Sequence, residues 1–417
     1  MTSPSDQSPE KEADISPIDE AELSATIETT ISDDITIPTF SIIQTAKEFD
    51  QLKDDWNKLF EAHGTGTQLF QTYNWIWHWI NQFEFSPRNM VILTGRIEDE
   101  LVLIAPLILE KKFGLKLLKW IGEPVSQYGD ILIKENPQNL QWLKAGFNYL
   151  NETIKPDLFH LRKTRFDAAI TPLLEMYNAT ILEELAAPYI EVRGDENFTE
   201  FNKRYSQRSR KAKRRHRRKL EEKGPLTFNI FDEGKEANRA ANHAINLKRD
   251  WLKATKTFSP AFSTTLIDKF FDASTKESQH SANIKVSELC VDNHPAAIEI
   301  GILVKDYYGA HLGVYDPTYI AHSPGSLQMQ DTIAALIEKG VKIIDLFAPG
   351  DTYKYEWTEQ SVPVYDFAYS TSLKGRIYEE AYLKRTRPAL KTAVKSLSEI
   401  AKNPKSILKR KTETDTK

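Results

Sequence analysis

Residues 307–357 decide the fold, and they divide into YYGAHLGVYD (307–316), PTYIAHSPGS (317–326), LQMQDTIAALIEKG (327–340), VKIIDLFAPG (341–350) and DTYKYEW (351–357). The pattern predicts a strand, a break at the Ser-Pro-Gly-Ser sequence 323–326, a helix, a second strand over 343–347 and a second break at Pro349-Gly350. A short Tyr-rich helix follows. Strands that alternate with helices indicate an α/β protein with a mixed sheet.

The break at 323–326 is a candidate anion site. The first backbone N–H groups of a helix lack partners within the helix, and the positive end of the helix dipole lies there. Ser323, Gly325 and Ser326 are therefore candidates to hold the phosphates of a carrier, whereas Pro324 has no N–H to donate. In the simpler alternative, Ser326 only caps the helix.

This order of elements resembles the cofactor half of the GNAT acyltransferase fold. The closer resemblance is to the acetyltransferase family of cellulose and exopolysaccharide biosynthesis (CelD/BcsL-like), which is related to the Fem-type peptidyltransferases. The residues that carry it are Tyr315-Asp316, Ser323-Pro324-Gly325, Asp345, Gly350, Tyr353-Lys354, Trp357, and, nearer the N-terminus, Phe70, Trp75, Trp79 and Tyr128-Gly129-Asp130.

The resemblance implies roles for several of these residues. The turn at 323–326 would hold acetyl-CoA or another acyl-CoA as cosubstrate, and Tyr353 would protonate the leaving thiolate. Lys354 would hold a phosphate or a carboxylate of the acceptor. Tyr128 and Asp130 would help to line the acceptor cleft, to which we add Tyr315 as a candidate on the strand before the carrier turn.

Two further residues are candidates for catalysis. Asp345 lies between apolar neighbours in IIDLF, so its carboxylate is either paired with a buried base or acts as a general base with a raised pKa. His311 precedes the carrier turn, and strand alternation places it on one face with Gly313 and Tyr315. No spacing of His, Cys, Asp and Glu matches a metal site, so no metal is expected.

The resemblance and the composition together predict two GNAT-like halves joined by a basic helix. The predicted segments are a disordered acidic tail (1–37), an N-terminal half (38–198), a linker helix (199–224), a C-terminal GNAT domain with the carrier site (225–375) and a basic helical tail (376–417). The acidic tail holds ten acidic residues and one lysine. Such a segment cannot bury enough apolar surface to fold alone.

The basic run RSRKAKRRHRRK at 208–219 has nine Lys or Arg in twelve positions. It is either a solvated linker helix or a clamp for phosphates, with Arg214 and Arg218 as candidate acceptor contacts. The phosphates could belong to a nucleotide-linked acceptor, a lipid carrier at an anionic membrane surface, or a tRNA. No aromatic residues interleave the run, which argues against sequence-specific nucleic-acid recognition.

The remaining bulk features favour a cytoplasmic protein, with peripheral contact to the inner face of a membrane as an option. No apolar run approaches the length of about 18 residues needed for a membrane span, and the acidic N-terminus does not have the layout of a signal peptide. The single cysteine, Cys290, is expected to be a buried strand thiol.

Together these features predict an acyl-CoA-dependent N- or O-acyltransferase. The resemblance implies that the acceptor is a sugar, or a nucleotide- or lipid-linked precursor of an envelope polysaccharide. Two alternatives remain: a Fem-type transferase that uses aminoacyl-tRNA, favoured by the basic helix, and a non-catalytic adaptor on anionic membranes. The oligomeric state does not follow from the sequence.

Overall fold

The computed structural model describes residues 36–82, 89–194, 197–390 and 392–393. The described residues from Pro38 onward form one compact unit. Nearly all of the predicted acidic tail (1–37) and most of the predicted basic tail (376–417) lie outside the described residues. Within the described ranges, none of the helices combines the length and the apolar character that crossing a membrane requires.

Within the described residues, thirteen strands form a single mixed sheet. They are β1 (Thr39–Ile43), β2 (Met90–Ile97), β3 (Glu100–Lys112), β4 (Leu115–Trp120), β5 (Leu132–Ile133), β6 (Leu158–Arg165), β7 (Thr180–Glu191), β8 (Leu226–Phe231), β9 (Ile284–Val291), β10 (His294–Val304), β11 (Tyr307–Tyr315), β12 (Ile343–Asp345) and β13 (Ser361–Ser370). Their order is β1-β2-β3-β4-β6-β13-β7-β12-β11-β10-β9-β8, with β5 beside β3.

Helices cover both faces of this sheet. The α-helices are α1 (Ala46–Gln51), α2 (Lys53–His63), α3 (Tyr73–Gln82), α4 (Asn139–Ile154), α5 (Thr171–Met176), α6 (Phe198–Asn202), α7 (Gln207–Glu221), α8 (Lys235–Ala254), α9 (Leu266–Ser274), α10 (Pro324–Glu338) and α11 (Leu373–Tyr378). Short 3-10 turns at Pro317–His322 and Lys354–Glu356 flank the candidate site.

The sheet is made of two similar halves that exchange a strand at its centre. The first half runs β1-β2-β3-β4-β6 and is completed by β13 from the end of the chain, while the second runs β8-β9-β10-β11-β12 and is completed by β7. The exchanged strands β7 and β13 pair with each other along nearly their whole length. The predicted α/β class with a mixed sheet is confirmed, and each of the two similar halves contains a strand of the other.

One parallel pair lies in each half. Strand β4 pairs with β6, and β11 pairs with β12, whereas the other pairs among the described strands are antiparallel. The β11–β12 pairing is short and stops at Gly309 opposite Asp345. Beyond that point β11 continues to Tyr315 without β12 beside it, which leaves a gap in the sheet.

Opposite faces of the second half carry different helices. The small residues of α8 pack with Ile298 and Ile300 of β10 in one core cluster, together with α3 and α9. Met329 and Ile333 of α10 pack with Tyr308 in another. The gap between β11 and β12 is therefore flanked by α8 on one face and by α10 on the other.

The prediction that Cys290 is buried is confirmed, and Trp75 and Trp79 of α3 are also buried. Cys290 is a buried strand thiol, and burial raises its pKa to about 11, which makes it a poor nucleophile. Helix α5 stops at Met176, and strand β7 begins at Thr180.

Candidate active site

A cavity of about 680 Å³ occupies the gap between β11 and β12. Segments from both faces of the sheet line it, including α8, the start of α10 and the turn after β12. Seven of the predicted site residues are in its wall: His311, Tyr315, Ser323, Gly325, Ser326, Tyr353 and Lys354. Asp345, Tyr128, Asp130, Arg214 and Arg218 are not part of that wall.

The start of α10 is open towards this cavity. The helix begins at Pro324, so Ser323 precedes it in the left-handed conformation (φ 50°, ψ 52°) and makes no side-chain cap bond. Ser326 lies in the first turn, where its N–H donates to Ser323 O over 3.1 Å, and it does not cap the helix. The Gly325 N–H has no acceptor among the described residues, as an anion site requires.

Gly325 also leaves room for a ligand. A Cβ added there would meet nothing closer than the Tyr315 ring at 3.6 Å, which is an ordinary contact. A small side chain would therefore fit in the unliganded protein, whereas a branched one would extend into the space over the helix start.

Tyr353 is presented to the cavity with 56% of its surface exposed. Partial burial, together with the carboxylates of Asp351 and Glu299, raises the pKa of its phenol to about 12. The phenol therefore keeps its proton near neutral pH and remains a hydrogen-bond donor.

The contacts of Lys354 differ from the predicted contact with a phosphate or a carboxylate of the acceptor. Its ammonium is buried and donates to Phe347 O and to Pro349 O, at 2.8 Å each. Burial lowers the pKa of Lys354. The side chain therefore supports the turn that presents Tyr353, and its position does not favour a contact with carrier or acceptor.

The cavity wall contains acidic residues that the sequence analysis missed, among them Glu299 of β10. It lies opposite Gly313 of β11, whose missing side chain leaves the carboxylate uncovered on the cavity side. Tyr308 donates to its Oε1 over 2.9 Å, and burial raises the pKa of Glu299 to about 7. The sequence AAIEIGI contained the same signal that singled out Asp345, a carboxylate within an apolar strand.

A β-bulge changes the direction of His311. The register runs from Gly301 opposite Ala310 to Ile300 opposite Leu312, so His311 is the extra residue. Its ring packs among the rings of Phe70, Trp75, Phe271 and Phe347, in the cluster that also contains Leu312. The prediction that His311 shares a face with Gly313 and Tyr315 is therefore wrong.

The imidazole of His311 is neutral. Burial lowers its pKa to about 4, and its Nε2 lies 2.7 Å from Val125 O, which can only accept. Nε2 therefore carries the hydrogen, and Nδ1 is a buried acceptor without a partner among the described residues. Because His311 also lines the cavity, an acceptor N–H or O–H is the kind of group that could satisfy Nδ1.

The carboxylate of Asp345 is buried, and both of its oxygens accept hydrogen bonds. The hydroxyls of Tyr128 and Tyr307 and the guanidinium of Arg165 all donate to its Oδ2, and the Phe347 N–H donates to Oδ1 over 2.7 Å. Burial raises the pKa of Asp345, while Arg165 acts in the opposite direction. Of the two roles left open by the sequence, this geometry supports the paired carboxylate.

Tyr128 and Asp130 are also buried in the protein interior. Tyr128 donates 2.8 Å to Asp345, and its ring packs under the Arg165 guanidinium at 5.1 Å. Asp130 accepts from Gln68 and from the N–H groups of Ala169 and Ile170, and burial raises its pKa to about 6. Both residues fix the first half in place rather than line the cavity.

The basic run forms helix α7, which has distinct inner and outer sides. Leu220 is buried, Arg217 pairs with Asp331 of α10 over 2.5 Å, and Lys213 lies 3.2 Å above the Trp357 ring, which lines the cavity. Arg214 and Arg218 are exposed on the outer side with further cations, namely Arg208, Lys211, Arg215 and Lys219. The cations of α7 thus lie on both its inner and its outer side.

Comparisons with known proteins agree with this geometry. Residues 207–355 match the family model described as an acetyltransferase (GNAT) domain. The crystal structure of FemX is similar in fold, with a TM-score of 0.55 and 11% identity, over 79% of this chain and 98% of that chain. No protein in the search of curated proteins matches.

Two other solved structures have lower scores. A tandem GNAT protein from the clavulanic acid biosynthesis pathway matches with a TM-score of 0.41 and 9% identity, over 80% of this chain and 99% of its own. The C-terminal domain of a putative lysylphosphatidylglycerol synthetase from Agrobacterium fabrum matches with a TM-score of 0.46 and 12% identity, over 79% of this chain and 95% of its own.

Residues 207–355, which include most of the cavity wall and the open start of α10, form a GNAT-type acetyltransferase domain, and the protein is an acyltransferase. The domain match ends at Tyr355, so it includes α7, the bulged strand, the carrier turn and Tyr353.

Proposed function

We propose that this protein transfers an acyl group from acyl-CoA to an amine or hydroxyl of an acceptor that binds in the same cavity. The observation that supports this is one continuous cavity whose wall contains the open start of α10, Tyr353 and Glu299. An anion site, a protonated phenol and a carboxylate of pKa about 7 are the groups that transfer from a phosphorylated thioester needs.

The residues present fit a CoA-type carrier. The Gly325 N–H lacks an acceptor in the described protein, and a helix dipole favours phosphate at that point. Ser323 and Ser326 add hydroxyls beside it. These groups would hold the phosphates, and the gap between β11 and β12 would admit the thioester arm.

Glu299 is the proposed general base. At pH above about 7 its carboxylate is ionised and takes the proton from the acceptor nitrogen or oxygen. The new bond to the acyl carbon forms while the bond from that carbon to sulfur breaks. Tyr353 donates its hydrogen bond to the departing sulfur and recovers any proton it gives from solvent.

His311 orients the acceptor in this scheme. Its Nδ1 is a hydrogen-bond acceptor fixed by the Nε2–H bond to Val125 O. A neutral imidazole of pKa about 4 is a weak base, so the proton goes to Glu299 and His311 holds the acceptor N–H or O–H.

The proposed class of acceptor is inferred from the sequence resemblance and from the charge of α7. The resemblance of the sequence to polysaccharide-biosynthesis acetyltransferases favours a sugar amine or hydroxyl on a nucleotide- or lipid-linked precursor. The exposed cations of α7, Arg214 and Arg218 among them, would attract the phosphates of such a precursor or an anionic membrane surface that carries it.

Thiol release from acetyl-CoA in the presence of amino sugars tests the proposal. We expect turnover that Glu299→Gln and Tyr353→Phe each reduce by about 100-fold, the usual size of an acid–base contribution, without loss of acetyl-CoA binding. A matched control is Tyr355→Phe, a neighbouring phenol outside the cavity wall.

Turnover of the Glu299→Gln protein at the wild-type rate would overturn the assignment of the base. Failure of the wild-type protein to bind acetyl-CoA or longer acyl-CoAs would overturn the proposed carrier, and aminoacyl-tRNA would become the carrier to test.

A further inference from the structure

The cavity wall on the α8 face contains a cation without a partner. Lys248 is half-buried and lines the cavity, yet its ammonium has no hydrogen bond or ion pair with any residue in the described ranges. Its close neighbour is the Trp251 ring, 4.3 Å from Nζ to the ring centroid. Burial lowers the pKa of Lys248, and Asp351 acts in the opposite direction.

Other half-buried cations near the cavity have defined tasks. Lys354 donates to two backbone carbonyls, Arg217 pairs with Asp331, and Arg249, the next residue of α8, pairs with Asp268. A partly desolvated ammonium is costly unless an anion or a hydrogen-bond acceptor compensates it. Lys248, like Lys213 of α7, makes no hydrogen bond or ion pair with the described residues, and each ammonium lies over an aromatic ring instead.

Trp251 beside it offers a flat apolar surface. It is 39% exposed although it is a large aromatic side chain, and it lines the same cavity one turn after Leu247 and Lys248. Aromatic rings bind ligands that have an apolar face, and the Lys248 ammonium over one face of this ring adds a charged contact there.

The two faces of the sheet separate this pair from the carrier turn. α8 packs on the face with Ile298 and Ile300, whereas α10 packs on the face with Tyr308. Lys248 thus approaches the gap from the side opposite to Ser323 and Gly325. The phosphates of a carrier held at the start of α10 have their own donors there.

We propose that Lys248 and Trp251 form an acceptor subsite that selects an acceptor with a negatively charged group, a phosphate or carboxylate, beside the apolar face of a ring. This rests on the proposed function, since it assigns the substrate class of the same cavity. Glu356 in the same wall would repel an anion, whereas the Lys248 ammonium, which also interacts with Asp351, would attract one.

Calorimetric titration of the full chain with matched sugars tests the subsite. The probes are glucosamine 6-phosphate, glucosamine, glucuronate, glucose and inorganic phosphate. We expect glucosamine 6-phosphate and glucuronate to bind at least about tenfold more tightly than their neutral partners, the size of one charge-assisted hydrogen bond. Inorganic phosphate should bind more weakly than the sugar phosphate, because it lacks the ring face.

Three variants separate the contribution of the Lys248 charge from that of the Trp251 ring. Lys248→Met keeps the stem and should remove the preference for anionic sugars while neutral sugars bind as before. Trp251→Ala should weaken the binding of anionic and neutral sugars alike. Lys253→Met, an exposed cation of the same helix that pairs with Asp250, is the control and should change neither.

Titration of the same proteins with acetyl-CoA distinguishes a failure of the subsite proposal from a failure of the proposed function. Equal affinity for charged and neutral sugars, with acetyl-CoA bound normally, would overturn the subsite and leave the proposed function intact. Loss of acetyl-CoA binding in Lys248→Met would show that this lysine serves the carrier, which also overturns the subsite. If the wild-type protein does not bind acetyl-CoA, the proposed function is wrong.

Discussion

The hydroxyl of Tyr128 donates a 2.8 Å hydrogen bond to the carboxylate of Asp345, 217 residues later in the chain. Arg165, also from the first half, donates to the same oxygen over 3.1 Å. A buried charge of the second half is thus compensated by the first half. The network lies directly below the point where β11 and β12 separate, so the position of the gap depends on both halves.

Asp345→Asn should therefore reduce stability. Loss of the carboxylate leaves the largely buried Arg165 without its buried partner, and breaking such a pair costs about 3 kcal/mol or more in the free energy of unfolding. Asp167→Asn, which removes an exposed partner of the same arginine, should cost less than about 1 kcal/mol. Urea unfolding of the three proteins measures both effects.

Asp345→Asn with wild-type stability and no turnover would contradict this account. Such a result would return Asp345 to the role of general base.

Glu299 makes stability depend on pH. Its pKa is near its ordinary value of 4.5 in the unfolded chain and about 7 in the folded protein. Between these values the unfolded state loses the proton first, so the free energy of unfolding falls as pH rises from 4.5 to 7 and then levels off. The total fall from this residue is about 3 kcal/mol.

The Glu299→Gln substitution should remove this decrease in the free energy of unfolding with rising pH. We expect the mutant to gain stability relative to wild type as pH rises from 5 to 8, as measured by urea unfolding at fixed ionic strength. A difference between the two proteins that is independent of pH over this range would mean that Glu299 is ionised throughout and has an ordinary pKa.

His311 should stay neutral across the physiological range. Its pKa is lowered to about 4 because burial disfavours the imidazolium form. Nitrogen NMR of the histidine-labelled protein should show one ring with hydrogen on Nε2 and no titration between pH 5.5 and 8. That signal should be absent from His311→Gln, and a titration midpoint near 6.5 would contradict the enclosed position.

Much of the local structure of residues 307–357 could be predicted from the sequence. The break at 323–326 and the strand–helix–strand order around it predict the carrier turn, because proline and glycine mark chain reversals by their own backbone preferences. The position of Tyr353 in the cavity also agrees with its place after the second break.

Non-local features could not be predicted in this way. Strand β7 consists largely of residues that favour helices, and it is a strand because it fills the centre of the sheet between β13 and β12. The bulge at His311 depends on its register with β10, which local alternation does not reveal. Asp345 is assigned a partner only when the fold brings Arg165 next to it.

The most direct test of the central claim is calorimetric titration with acetyl-CoA. The account predicts binding by the wild-type protein, normal binding by Gly325→Ala and at least about tenfold weaker binding by Gly325→Val and Ser326→Asp. Because an acidic residue in the first turn favours the helix, Ser326→Asp should fold as stably as wild type. Equal acetyl-CoA affinity in all four proteins would contradict a carrier site at the start of α10.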